Sequence, residues 1–178
     1  MQGKKYYVDN VAYKIRPVVT ADVTQLVRVR KQIDSETENM DRTPEESVFT
    51  SEDFTTLIQN DEKHMNLFIV VEIANQIVGF ARVERNTLHR FKHQAEIGLG
   101  ILREYWSLKI GQNILKYIIE WSSNQRLMKL NLKVLSTNDR AIHTYKKLGF
   151  QQEGILKYDK LLSDNKYYDT LIMAKLNF

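Results

Sequence analysis

Residues 96–115 read EIGLGILREYWSLKIGQNIL, and the fold turns on how this stretch divides. Its first half reads as a strand, with Gly98 and Gly100 inside it. Glycine weakens a strand interior, and it marks a bulge or a place where another backbone or a ligand comes close. From Ile110 onward the apolar period is that of a helix. Ile110, Ile114, Tyr117, Ile118 and Trp121 form one stripe, while Gln112, Asn113, Lys116 and Glu120 face water. A strand that turns directly into a helix presents unpaired N–H groups and the positive end of the helix dipole. Such an end grips phosphate. Lys109 stands where a phosphate-gripping turn would place a second glycine.

Upstream, AYKIRPV (12–18) reads as a strand, and Thr20 or Asp22 caps a helix running through Ile33. Val23, Leu26, Val27 and Ile33 form its inward face. A second helix is expected around SEDFTTLIQND (51–61). The β-branched runs NLFIVVEI (66–73) and QIVGFARVER (76–85) are separated by Ala74-Asn75, a hairpin signal. Downstream, MKLNLKVL (128–135) alternates as a strand. STNDRAIHTYKKLGF (136–150) is a helix capped by Asn138 or Thr137, with Ala141, Ile142, Tyr145 and Leu148 inward. Gly149 ends it and Phe150 packs behind. GILKYDKLL (154–162) and YYDTLIMAKL (167–176) are strands flanking the turn SDNK. The order β, α, α, β, β, β, α, β, α, β, β predicts an α/β fold with a mixed sheet.

A chain of 178 residues suits one domain with a sizeable core. Residues 1–11 read as an N-terminal extension and 12–178 as the domain. Its 43% hydrophobic and 27% charged residues are those of a soluble globular protein. No apolar run approaches the ~20 residues of a membrane span. MQGKKYYVDN lacks the apolar core of a signal peptide, so a cytoplasmic location is expected, without membrane association. With no cysteine there are no disulfides, thiolate metal sites or cysteine nucleophile. His89 and His93 have helical ligand spacing but lie between two strand-like runs, so they read as solvent-facing and no metal site is expected.

The net charge of +4 hides an asymmetry. Residues 34–53, DSETENMDRTPEESVFTSED, hold eight acids and one base, a net of −7, leaving +11 on the remainder. A solvated loop is the plain reading of such a run. The sharper one is a protein with one face for an anion and another for a cation.

EIGLGILREYWSLKIGQNIL together with NDRAIHTYKKLGFQQEGI (138–155) resembles the GNAT superfamily of acyl-CoA-dependent N-acetyltransferases, over essentially residues 12–178. The tail YYDTLIMAKL is similar to the branch that acetylates protein N-terminal amines, including those of ribosomal proteins. The resemblance implies a single-domain GNAT fold: a mixed, mostly antiparallel central sheet with a splayed strand pair and helices on both faces. It also implies acetyl-CoA as co-substrate. Pantetheine would bond the exposed strand backbone at Leu99 and Ile101, and the pyrophosphate would sit on Trp106, Lys109, Ile110, Gly111 and Gln112. The family's loop pattern is Gln or Arg, two residues, Gly, one residue, then Gly or Ala. Trp106 and Lys109 depart from it and Gly111 keeps it.

The same resemblance implies Glu96 as the general base, or the holder of a basic water, and Tyr145 as the acid that protonates the leaving thiolate. Asn138 would bond CoA. Each residue also has a plainer reading: Glu96 a solvent-facing strand glutamate, Tyr145 an inward aromatic, Asn138 only a cap. Tyr167, Tyr168 and Asp169 either line the acceptor pocket or form a surface hairpin. The acidic segment falls where the family covers its acceptor site, which suits a cationic amine. The expected function is acetyl transfer to a primary amine, on a protein N-terminus or a small cationic molecule, within a ternary complex. The altered loop keeps open a catalytically weak CoA-binding sensor. The pI of about 9.1 raises nucleic-acid binding, but no basic cluster interleaves with exposed aromatics, so no nucleic-acid partner is expected. Monomer and homodimer both stay open.

Overall fold

In the computed structural model, which describes residues 2–177, the Ala74-Asn75 break is the tight hairpin its residues predict. Both take left-handed backbone angles, φ 47° and 65°. This turn matches the twist of the strands on either side, β3 (Leu67–Ile73) and β4 (Gln76–Arg85). The same device appears at Asp9-Asn10, φ 48° and 64°. There it joins β1 (Lys4–Val8) to β2 (Val11–Pro17) in antiparallel register, Lys4 opposite Ile15. The sequence reading placed its first strand at AYKIRPV and missed β1. That strand is five residues long and none of its residues is fully buried, so its apolar signal is weak.

The remaining elements are helix α1 (Val23–Glu36), helix α2 (Ser51–Lys63), strand β5 (Gln94–Ile101) and helix α3 (Ile110–Asn124). They are followed by β6 (Lys129–Leu135), α4 (Asp139–Lys147), β7 (Gln151–Leu161) and β8 (Tyr167–Leu176). Two 3-10 turns, Thr20–Asp22 and Arg103–Leu108, lead into α1 and α3. The strands follow the order β1-β2-β3-β4-β5-β6-β8-β7. This is a single α/β domain with a mixed sheet, mostly antiparallel, whose one parallel pair is β5–β6.

The residues pack as two units. The first takes in the chain up to Glu84 together with Gly98–Ile114. Its centre is β3, buried from Leu67 through Val71. Helix α1 adds Val23, Leu26, Val29 and Ile33, and α2 adds Phe54 and Ile58. Val29 is buried where the sequence reading favoured Val27, which is only half-buried. Thr50 and Asp53 start α2 as a capping box: the Thr50 hydroxyl accepts from Asp53 N–H (3.1 Å) and the Asp53 carboxylate from Thr50 N–H (2.8 Å).

The second unit takes in Arg85–Ile97 and the chain from Leu115 onward. Gln94, Ala95 and Glu96 pair in parallel with Lys129, Leu130 and Asn131. The pairing ends there, although β5 continues to Ile101 and β6 to Leu135. β6 pairs β8 over its whole length, and β8 pairs β7. Helix α4 stops at Gly149, whose φ of 87° is a left-handed C-terminal cap, and Phe150 is buried behind it.

Candidate active site

The two strand glycines of β5 have different reasons to be glycine. A Cβ at Gly100 would lie 3.2 Å from Ile33 Cδ1, and one at Gly79 on β4 would lie 2.9 Å from the Gly100 carbonyl oxygen. Those two are demanded by packing. A Cβ at Gly98 would meet nothing within 4 Å. Leu99 and Ile101 are half-buried beside it.

After β5 the chain is held into its turn from three directions. Leu102 N–H donates to the Val78 carbonyl (3.0 Å). Arg103 N–H donates to Glu36 Oε2 at the end of α1 (2.7 Å). The Trp106 indole N–H donates back to the Ile101 carbonyl (2.8 Å), and the Arg103 guanidinium lies 5.5 Å from the centre of its ring. Trp106 therefore braces the turn with its one side-chain donor.

Lys109 then takes φ 54°, ψ 17°, the left-handed region. A residue with a Cβ occupies that region at a cost of about 1–2 kcal/mol, which is why glycine is the usual choice. The lysine side chain is exposed. Helix α3 begins at once with Ile110, fully buried. Its first intrahelical bond runs from Asn113 N–H to the Lys109 carbonyl (3.0 Å). The amides of Ile110, Gly111 and Gln112 precede that bond, and helical geometry offers them no carbonyl. A Cβ at Gly111 would meet only Ile101 Cδ1, at 3.5 Å, so packing does not demand glycine there.

The second unit carries Glu96, Asn138 and Tyr145. Glu96 is exposed on β5, opposite Asn131 at the last paired position, and its carboxylate bonds no group among the described residues. Asn138 caps α4: its Oδ1 accepts from Ala141 N–H (3.2 Å) and its own N–H bonds the Leu135 carbonyl (2.9 Å). The cap uses only the side-chain oxygen, so the cap and a ligand bond from Nδ2 are compatible. Tyr145 is 8% exposed, its ring 5.9 Å from that of Phe150. Burial pushes its phenol up to about 12. Among the described residues its hydroxyl bonds no protein group.

Other expected features are tied up structurally. Asp169 accepts from Lys157 Nζ (2.7 Å) and Tyr158 N–H (3.0 Å). The Tyr168 hydroxyl donates to Asp164 (2.7 Å), and Tyr167 is exposed against Tyr158. These contacts match the surface-hairpin reading. Within the acidic segment, Asp34 takes the Arg30 guanidinium (2.7 Å), Glu36 holds Arg103 N–H, Glu46 accepts from Thr43 N–H (2.9 Å) and Asp53 caps α2. At least four of its eight acids thus brace backbone or pair with arginine. His89 and His93 are exposed. Among the described residues no group of His, Cys, Asp and Glu is placed to hold a metal, and no helix is long and apolar enough to cross a membrane.

The family model for the acetyltransferase (GNAT) family matches residues 34–150, the stretch that contains the β5–turn–α3 unit and all of α4. The chain belongs to the GNAT acetyltransferase family. Among curated proteins, it is 28% identical over 109 residues to the L-amino acid N-acetyltransferase AaaT of Escherichia coli K12, covering 61% of this chain and 67% of that one. The ribosomal-protein-alanine N-acetyltransferase of Brucella melitensis superposes with a TM-score of 0.82 at 21% identity, over 92% of this chain and 99% of that one. The GNAT phosphinothricin acetyltransferase of Sinorhizobium meliloti, solved in complex with acetyl-CoA, gives 0.82 at 14% identity, over 92% and 88%. This GNAT chain is an acetyltransferase by family, and acetyl-CoA is the co-substrate that the family supports.

The sequence marks neither Tyr13 nor the difference between Gly98 and Gly100, and its period puts Asn113 on the water-facing side of α3, whereas the Asn113 side chain bonds the buried Tyr13 hydroxyl beside Leu108. No local motif marks Tyr13, because its partners in the turn lie 95 and 100 residues away.

Proposed function

We propose that this chain transfers the acetyl group of acetyl-CoA to a primary amine by direct attack in a ternary complex. The observation that carries this reading is the turn at Lys109. A lysine holds the backbone angle normally left to glycine, and so the first-turn amides of α3 stay clear for a pyrophosphate. By keeping that angle, Lys109 keeps the shape of the loop after the change of residue, as a working phosphate site requires.

In the reaction the amine nitrogen attacks the thioester carbonyl, the C–S bond breaks and the CoA sulfur leaves as a thiolate. The ammonium proton goes to Glu96 directly or through a water. Tyr145 meets the thiolate with its O–H; with its phenol at about 12 it stays protonated across neutral and mildly alkaline pH. Asn138 offers Nδ2 to the CoA chain. Leu99 and Ile101 offer strand backbone to the pantetheine amides, and Lys109, Ile110, Gly111 and Gln112 hold the pyrophosphate, with Trp106 bracing the turn. The relatives act on an L-amino acid and on a ribosomal-protein alanine. Both are α-amines, and an α-amine of an amino acid or of a protein N-terminus is the acceptor class we assign here.

A panel of amino acids, N-terminal peptides and small polyamines, assayed for thiol release from acetyl-CoA, tests this. The chain contains no cysteine, so a thiol reagent reports only product. Turnover on α-amines is expected, together with an acetyl-CoA-dependent rise in Tm by mass action. Equal stabilisation by acetyl-CoA and CoA with no thiol release from any amine would replace the enzyme by a sensor. No shift at millimolar acetyl-CoA would end both readings.

A further inference from the structure

Tyr13 lies on β2, 3% exposed, and its hydroxyl is held between two groups of the turn. It donates to the Leu108 carbonyl (3.3 Å) and accepts from Asn113 Nδ2 (2.6 Å). Those partners stand one residue before and four residues after Lys109, and Asn113 N–H closes on the Lys109 carbonyl (3.0 Å). We propose that Tyr13 is the positioning residue of the phosphate-binding turn, acting through Leu108 and Asn113 to hold Lys109 left-handed. The inference rests on the acetyl-CoA reading above.

The Leu108–Lys109 peptide is planar and trans, so its C=O and N–H point in opposite directions. Pinning the Leu108 oxygen to Tyr13 therefore fixes the direction of the Lys109 N–H and one side of the φ angle that glycine would otherwise hold unaided. The Asn113 bond secures the other side, at the end of the first turn of α3. A phenol hydroxyl has one proton to donate and lone pairs to accept, and both capacities are used here. Its ring is anchored separately, stacked on Tyr6 at 5.4 Å and 19°. The hydroxyl can thus be removed while the ring packing stays. Burial raises the phenol above its ordinary value, with the Asn113 bond opposing, so the donor to Leu108 persists through neutral pH.

The test compares acetyl-CoA with acetyl-pantetheine, which keeps the thioester and pantetheine amides but lacks the pyrophosphate. For Tyr13→Phe, KM for acetyl-CoA should rise by roughly five- to tenfold with kcat within about twofold, the size of one lost hydrogen bond. Turnover of acetyl-pantetheine should stay at the parent level. Asn113→Ala should show the same selective loss. The double variant should be little worse than either single one, because both cut one network. Asn113→Ala carries the test alone if Tyr13→Phe does not fold by circular dichroism. Equal loss with both thioesters, or no loss with either, overturns the assignment and leaves Tyr13 a tie of the fold. A parent enzyme that itself turns over acetyl-CoA no better than acetyl-pantetheine overturns the phosphate-site reading, and this inference with it.

Discussion

Lys109→Gly separates the two things that Lys109 brings to the turn, a costly backbone angle and a charge. At φ 54° and ψ 17°, a Cβ costs about 1–2 kcal/mol. Glycine removes that cost but loosens the unfolded chain, which takes back about 0.4–1 kcal/mol. The net stabilisation is about 0.5–1 kcal/mol, or about 1–4 °C in Tm for a chain of this size. The ammonium is exposed, so its bond to a pyrophosphate oxygen falls at the low end of charge-assisted contacts, about 1.5 kcal/mol. Removing it should weaken acetyl-CoA binding about tenfold at low salt and less at high salt. Lys109→Met keeps the left-handed cost and loses the charge, so its Tm should match the parent while its affinity falls as far or further. Thermal unfolding and titration calorimetry at two ionic strengths measure both quantities. If Lys109→Gly is more stable and also binds acetyl-CoA more tightly than the parent, the lysine only obstructs the site. If Lys109→Gly melts lower than the parent, the left-handed account of the turn is wrong.

The other predictions concern single groups. Tyr145→Phe should lower kcat by about tenfold or more with acetyl-CoA affinity nearly unchanged, since the O–H acts only as the thiolate forms; an unchanged kcat would leave Tyr145 a core aromatic. Glu96→Gln should flatten the low-pH limb of the rate profile, and a limb that keeps its slope would assign the base elsewhere. Gly79→Ala should cost about 1–3 kcal/mol in denaturant unfolding, because its Cβ would press 2.9 Å from a backbone oxygen. Gly98→Ala should stay within about 0.5 kcal/mol of the parent. Equal losses at the two positions would contradict the packing assigned to β4 and β5.

The stripe Ile110, Ile114, Tyr117, Ile118 and Trp121 was legible in the sequence, and all five are buried as its period required. So were the Ala74-Asn75 hairpin, the Gly149 stop and a cap at Thr137 or Asn138, which Asn138 supplies, because each is written in the chemistry of a few adjacent residues. The segments that resemble GNAT enzymes were legible for the same reason: a strand, a turn and a helix start occupy one continuous stretch. Strand β1 was not legible, since its five residues, three half-buried and two exposed, gain their structure only from pairing with β2. Nor were the separate reasons for Gly98 and Gly100, which depend on where Ile33 and Gly79 arrive. The acidic segment looked like free charge until Arg30, Arg103 and the start of α2 were brought to it. Lys109 shows the boundary most clearly. The sequence names the residue that stands where glycine was expected, but its left-handed backbone is held by a tyrosine hydroxyl from nearly a hundred residues earlier, and a contact of that span has no period or local pattern to announce it.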